Sequence, residues 1–310
     1  MSALQQSLQD YLALRRGLGF KLRAAGQRLQ DFVCFMDSQK AEFITTALAL
    51  TWAQRPKSAD PAWWALRLGF VRGFARYLSA IDPRTEVPST LLLPFHGNRA
   101  KAYFYTDKDI SKLLQAALAQ PAMYELQGWT YYCLLGLVAV TGLRIGEALA
   151  LTLDDVDLDE GLLIIRAAKF GKSRLVPIHA STQGVLAKYL ARRKRFLAGR
   201  EANTLFVNLR GNHLEFSQVR RVFYRLSRQV GLRGQTASHG PRLQDFRHRF
   251  ALLTLLHWYR DGQDVERRMP VLSAYLGHVH PSDTYWYLSA SAELLGSAKT
   301  RLEDYWEKTS

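Results

Sequence analysis

The sequence predicts a mainly α-helical protein of two domains, the second of which contains a small antiparallel sheet. The chain has 310 residues, which exceeds the size at which one hydrophobic core usually stops growing. Apolar residues recur at spacings of three and four along most of its length, interrupted by one β-branched stretch. We therefore expect an N-terminal helical bundle and then a mixed α/β domain, in which helices accompany a three-stranded antiparallel sheet.

Residues 1–81 form the predicted helical bundle. A helix is expected to begin at Pro61, because proline is favoured in the first position of a helix. Three prolines and little periodicity mark residues 82–101 as an interdomain linker. The apolar stripes of the first two helices are Leu4, Leu8, Tyr11 and Leu12, then Leu22, Leu29, Phe32, Val33 and Met36.

The predicted second domain covers residues 102–310. Its first helix follows Thr106, a suitable N-cap residue. The stretch "DDVDLDEGLLIIRAAKFGKSRLVPI" combines Asp-rich turns with two β-branched runs, which favours an antiparallel meander. Further helices are expected over residues 129–140, 183–197, 217–230 and 243–259.

The charge balance indicates a polyanionic partner. Lysine and arginine number 42 and acidic residues 27, which leaves a net charge of +15. There are 13 basic and 7 acidic residues before residue 100, and 29 and 20 from there on. Both domains are therefore expected to contact nucleic acid. The alternative is a basic protein that does not bind nucleic acid.

Nothing in the sequence indicates a membrane segment or a leader. The longest apolar run, residues 131–140, is too short to span a bilayer, and we expect a cytoplasmic protein. Cys34 and Cys133 have no partner at metal-ligand spacing and are predicted to be reduced core residues. We expect no metal and no cofactor.

Three motifs contain arginine or lysine in positions that suit phosphate chemistry. In "TGLRIGEALAL", Arg144 and Glu147 form either a surface ion pair or a pair that orients the guanidinium toward a phosphate. Lys169, in the predicted hairpin with Lys172 and Arg174, is either part of a solvated basic turn or a proton donor to a leaving oxygen. Arg247 begins an apolar helix and needs a carboxylate or a phosphate as its partner.

A fourth motif, "LGHVHPSDTYWYLSA", places Tyr285 and Tyr287 on either side of Trp286. Such residues usually pack in cores or interfaces, with the polar tip hydrogen-bonded. Their position after a His-x-His pair raises the alternative that one phenol is a nucleophile.

Together the motifs "TGLRIGEAL", "KFGKSRLVP", "DFRHRFA" and "LGHVHPSDTYWY" resemble those of the tyrosine site-specific recombinases, the phage-integrase family, in their order and spacing. They extend over residues 141–287. The N-terminal bundle resembles the family's SAM-like core-binding domain. The resemblance implies a C-shaped clamp around double-stranded DNA.

The resemblance also implies a role for each matching residue. Tyr287, nine residues after His278, would be the nucleophile and Tyr285 a packing residue. The other implied site residues are Arg144 and Arg247 as the catalytic arginines, Glu147 as a supporting acid, Lys169 as the general acid and His278 as a phosphate ligand.

One position departs from the family pattern. Gln244 stands where the family usually has a histidine, three residues before the second arginine. Glutamine can hydrogen-bond a phosphate oxygen but cannot accept the phenolic proton. His248 and His239 are nearby alternatives for the base.

The implied reaction is metal-free cleavage of DNA through a 3′-phosphotyrosyl intermediate, then rejoining by way of a Holliday junction. The resemblance implies a dimer on each site and a tetramer in the synapse, with a tail helix at residues 291–307 exchanged between subunits or folded back. Integration, excision or transposition of a mobile element is the expected role, with accessory proteins or partner recombinases. The rival functions are a type IB topoisomerase and a catalytically silent DNA-binding relative.

Overall fold

The computed structural model describes residues 2–94, 102–121, 125–166, 173–237, 239–278, 280, 282–287 and 296. The chain divides into two compact units, Met1–Ala100 and Lys101–Ser310. The described residues are mainly helical and include a three-stranded antiparallel sheet. The predicted fold class is therefore confirmed.

The first unit is a helical bundle. Ser2, Thr45 and Asp60 cap three of its helices through their side-chain oxygens, and Pro61 occupies the expected first position. Two details differ from the prediction. Leu22 precedes its helix with a φ of 40°, and Cys34 is exposed instead of belonging to the core. The helices are α1 (Ala3–Gly17), α2 (Arg23–Ser38), α3 (Thr46–Gln54) and α4 (Pro61–Leu78).

Apolar side chains from all four helices form the core of this unit. Phe32 and Trp52 meet edge to face with ring centroids 5.1 Å apart, and both are fully buried. Leu8 and Phe74 close the same core from α1 and α4. The periodic apolar stripes thus face inward, which is what stabilises the bundle.

The second unit is longer and contains most of the helices. Thr106 and Asp109 form a capping box at the start of α5, where a cap was expected. Its helices are α5 (Asp107–Leu118), α6 (Glu125–Thr141), α7 (Ile145–Ala150), α8 (Ala180–Leu197), α9 (Phe216–Gln229), α10 (Asp245–Arg260), α11 (Val265–Leu276) and α12 (Ser282–Tyr285).

The sheet consists of β1 (Val156–Asp157), β2 (Leu162–Ile165) and β3 (Arg174–Pro177) in that order, with antiparallel pairing throughout. The predicted meander is therefore confirmed. Ile165 pairs with Arg174, so that β3 begins directly opposite the end of β2.

Two hydrophobic cores stabilise the second unit. The larger one gathers side chains from α5, α6, α8, α9 and the sheet. The smaller one lies between α10 and α11, where Leu255 and Leu272 pack together with Tyr287. This smaller core packs Tyr287 against α11 and against α10, the helix that contains Arg247.

Candidate active site

Arg144 occupies the N-cap position of α7, directly after the turn that follows α6. Gly142 in this turn has a φ of +63°, and a Cβ there would lie 2.6 Å from Phe250 Cδ1, so the turn requires glycine. Arg144 Nη1 donates to the carbonyl oxygens of Leu276 and Gly277, each at 3.4 Å. The turn therefore directs this guanidinium to the C-terminal end of α11.

Glu147 lies between two arginines. Its Oε1 accepts from Arg144 Nη1 at 3.0 Å, and its Oε2 accepts from the Arg144 backbone N–H at 3.0 Å. From β3, Arg174 Nη2 donates to Oε2 at 2.8 Å, while Arg174 Nε donates to the Tyr275 carbonyl at 2.7 Å. The Glu147 side chain is only 9% exposed. The pair is thus part of a buried network and is not a surface ion pair.

The Glu147 carboxylate is charged at neutral pH. Burial raises its pKa, but hydrogen bonds and positive charge from Arg174 and Arg144 lower it by more. The net result is a pKa below the ordinary value of 4.5.

Arg247 is buried in the first turn of α10, with 6% of its surface exposed. Nη1 donates to the Gly142 carbonyl at 3.0 Å and Nη2 to the Leu276 carbonyl at 2.5 Å. Burial and then the charge of Arg144 lower its pKa to about 10, although interaction with Tyr287 opposes this shift. Arg247 therefore remains a cation at neutral pH. The sequence suggested a carboxylate or phosphate partner, whereas among the described residues the guanidinium donates to two backbone carbonyls.

The two guanidiniums converge, because Arg144 and Arg247 donate to the same Leu276 carbonyl. With Arg174, the network contains three cations and the single carboxylate of Glu147. These four side chains carry a net charge of +2, which suits the binding of an anion such as a phosphate.

His278 follows the end of α11. Its backbone N–H donates to the Ser273 carbonyl at 3.0 Å, and its Nδ1 lies 2.6 Å from Thr284 Oγ1. Burial, followed by the charges of Arg247 and Arg144, lowers the His278 pKa to about 4. The imidazole is therefore neutral at physiological pH.

Tyr287 is buried, with 4% exposed surface, and packs in the small core between α10 and α11. Its ring stacks against His278, with centroids 6.1 Å apart and planes 21° apart. Tyr285 is 48% exposed. The expectation that Tyr285 packs is therefore wrong, since α12 turns that side chain outward and places Tyr287 inside.

Three other expected features complete the comparison with the sequence. Gln244 precedes α10 with an exposed side chain. Lys169 lies outside the described residues, as does the predicted tail helix at residues 291–307.

The sequence reasoning missed two neighbours of the site. Arg174, which the sequence places in a hairpin that could be a basic turn, begins β3 and binds Glu147. The sequence left His248 as one of two alternatives, and the imidazole contacts Tyr287 with ring centroids 5.5 Å apart. The position of His248 one residue after Arg247 on the same helix was the available signal.

In the described part of the chain, no group of three or more His, Cys, Asp or Glu side chains is placed to hold a metal ion. Within the same residues, every helix is too short or too polar to cross a bilayer.

Comparison with known proteins gives the family. The model of the phage integrase family matches residues 104–293, well over half of the chain. The chain belongs to the phage integrase family, and it is a tyrosine recombinase. The integrase/recombinase y4rB of Sinorhizobium fredii is 55% identical over 99% of both chains.

Solved structures show the same fold for this recombinase. The integrase of the transposon Tn1549, in complex with transposon right-end DNA, matches with a TM-score of 0.65 and 15% identity, over 96% of this chain and 98% of the other. A lambda integrase tetramer bound to a Holliday junction matches with a TM-score of 0.60 and 20% identity, over 92% of this chain and 76% of the other.

Proposed function

We propose that this recombinase cleaves and rejoins specific double-stranded DNA sites through Tyr287. One observation carries the proposal: the buried Tyr287 ring stacks against His278, two residues after Leu276, whose carbonyl accepts from both Arg144 and Arg247. A phosphodiester placed between the two arginines would lie beside the phenol. Cations fixed around the developing charge are the main means of stabilising a phosphoryl-transfer transition state.

In the proposed cleavage step, the Tyr287 oxygen forms a bond to phosphorus as the bond to the 5′ oxygen breaks. The products are a 3′-phosphotyrosyl link and a free 5′-hydroxyl. Arg144 and Arg247 bind the non-bridging oxygens, His278 donates a hydrogen bond to one of them, and Gln244 adds another once DNA is bound. Lys169 protonates the leaving oxygen. Glu147 keeps Arg144 in place.

The covalent link conserves the energy of the broken bond, so that a 5′-hydroxyl from a partner strand can reverse the step. We infer a dimer on each site and a tetramer that exchanges strands by way of a Holliday junction, with the tail at residues 291–307 linking subunits. The lambda integrase tetramer supports this assembly. Mobilisation of a DNA element is the proposed role, supported by the similarity to a transposon integrase.

We propose that residues 1–81 form the core-binding domain, that residues 82–101 are the linker, and that residues 102–310 are the catalytic domain. The two domains would then close around the duplex as a clamp. The basic excess in both parts of the chain supports this arrangement, because neutralising phosphates supplies most of the affinity for duplex DNA.

The test is covalent capture on nicked DNA made from sequences that flank the gene, resolved on a denaturing gel. Wild type and Tyr285→Phe should both form a protein–DNA adduct, and Tyr287→Phe should form none. Tyr285→Phe is the matched control because it removes a phenol two residues away. Loss of adduct in the Tyr285 variant alone would refute the assignment of the nucleophile.

The same proteins and DNA distinguish the proposed function from two rival functions. A type IB topoisomerase would relax supercoiled DNA without producing recombinant joints between two sites. A silent accessory protein would bind the DNA and form no adduct. We expect adduct formation and recombinant joints, since Arg144 and Arg247 converge on the Leu276 carbonyl and Tyr287 stacks against the neighbouring His278.

A further inference from the structure

Position 248 lies one helical turn beyond the position where the family usually has a histidine. Residues four apart on a helix share a face, so Gln244 and His248 point to the same side of α10. Gln244 stands before the helix and is exposed, whereas His248 lies within it and is half-buried. The chain therefore has an imidazole on the expected face, displaced by one turn into the protein.

The His248 ring contacts the proposed nucleophile. It lies edge-on to Tyr287, with ring centroids 5.5 Å apart and planes 61° apart. Trp286 packs against the same imidazole at 5.0 Å. The indole also contacts Tyr287 at 5.5 Å, so the three rings form one cluster that holds the imidazole beside the phenol.

The other histidines near the site are less suited to accept a proton. His278 has a pKa of about 4, because burial and then the charges of Arg247 and Arg144 oppose its protonation. It therefore remains neutral and better suited to hydrogen bonding. His239 is exposed in the segment before α10.

We propose that His248 is the general base of the cleavage reaction and replaces the histidine that is missing at position 244. The inference rests on the proposed function of Tyr287. The Tyr287 O–H bond breaks, its proton passes to a nitrogen of the His248 imidazole, and its oxygen electron pair forms the bond to phosphorus. The bond from phosphorus to the 5′ oxygen breaks, and that oxygen takes a proton from Lys169. In the rejoining step, a 5′-hydroxyl gives its proton to Lys169 as its oxygen bonds to phosphorus, the bond from phosphorus to the Tyr287 oxygen breaks, and protonated His248 returns its proton to the departing phenol.

The experiment measures the rate of adduct formation by the full-length protein on nicked DNA in single turnover. His248→Ala should lower this rate by roughly 100-fold or more, the usual contribution of a general base, while DNA binding stays near wild type. His257→Ala is the matched control, because His257 lies on the same helix with a side chain that is 74% exposed. Its adduct rate should match wild type. His248→Asn should resemble His248→Ala and keeps a polar side chain of similar size, in case the alanine variant does not fold.

Chemical rescue separates a base from a packing residue. Free imidazole should restore adduct formation to His248→Ala, since it fits the vacated space and accepts a proton. Pyrazole has the same ring size and is a far weaker base, so it should restore little. Equal rescue by both compounds would show that His248 only fills space and would overturn the proposal.

Two further results would overturn it. One is a folded His248→Asn variant that binds DNA and forms adduct at the wild-type rate. The other is a rise of roughly tenfold or more in Gln244→His, which would mean that the wild-type site lacks an effective base. If wild type binds the DNA and yields no adduct, the proposed function of Tyr287 fails and takes this inference with it. If wild type forms adduct and Tyr287→Phe forms none, Tyr287 is the nucleophile, and the His248 variants then test the general base alone.

Discussion

Replacing Arg174 by methionine tests whether the buried network supports the site. Arg174 makes two short charge-assisted hydrogen bonds, from Nη2 to Glu147 Oε2 at 2.8 Å and from Nε to the Tyr275 carbonyl at 2.7 Å. Hydrogen bonds to charged groups contribute about 1.5–3 kcal/mol each. Methionine fills part of the space, and Glu147 keeps Arg144 as a partner, so the loss should stay below the cost of leaving a buried charge unpaired.

We therefore expect Arg174→Met to lower the free energy of unfolding of the second unit by about 3 kcal/mol. Arg174→Lys keeps the charge but cannot make both contacts of the guanidinium fork, so about half of this loss is expected. Adduct formation should slow by roughly tenfold in Arg174→Met, since Glu147 becomes less able to hold Arg144 in one orientation.

The assay is urea unfolding of the full chain followed by tryptophan fluorescence, fitted with a separate transition for each compact unit. Single-turnover adduct formation is measured on the same preparations. An Arg174→Met protein within about 0.5 kcal/mol of wild type, the range of ordinary surface substitutions, would refute the network argument. Equal losses for the lysine and methionine variants would refute the part of the argument that depends on the fork.

Three other outcomes follow from the same contacts and charges. Because the folded-state pKa of Glu147 lies below 4.5, its carboxylate stabilises the fold above that pH. The difference in unfolding free energy between wild type and Glu147→Gln should therefore shrink as the pH falls below 4.5, as urea titrations would show. Gly277→Ala should lower the melting temperature more than Gly231→Ala does. Both glycines have a φ near +70°, where a side chain is strained. Only at Gly277 would the new Cβ also meet Arg174, at 2.8 Å from Nη1. DNA affinity should fall linearly on logarithmic axes as salt rises, and a flat filter-binding series would contradict a phosphate-based interface.

The sequence predicted the elements of the fold well where periodicity was strong. The stripes of the N-terminal helices and the β-branched runs both correspond to observed elements. It gave no indication of α11, whose interior contains Pro270 and whose pattern suggests an interruption. This omission matters for the site, since the carbonyl of Leu276 at the end of α11 accepts from both Arg144 and Arg247.

The motif order picks out Arg144, Glu147, Arg247, His278 and Tyr287 as candidates, but it does not give their contacts. Glu147 and Arg174 are 27 positions apart, and their pairing depends on how β3 packs beside α7. Likewise, the sequence alone does not show which of Tyr285 and Tyr287, on either side of Trp286, is buried. Their different burial follows from the direction of α12 and the small core that receives Tyr287.

Backbone carbonyls hold the guanidiniums of Arg144 and Arg247, and this affects how strongly the site can bind a phosphate. A carboxylate that orients a guanidinium also neutralises it, whereas a backbone carbonyl orients it and leaves the full charge available. Arg247 donates to the carbonyls of Gly142 and Leu276, and Arg144 shares its single carboxylate with Arg174. The C-terminal end of a helix favours cations, so α11 can hold both guanidiniums close together despite their repulsion. The positive charge that remains is what a phosphate would neutralise.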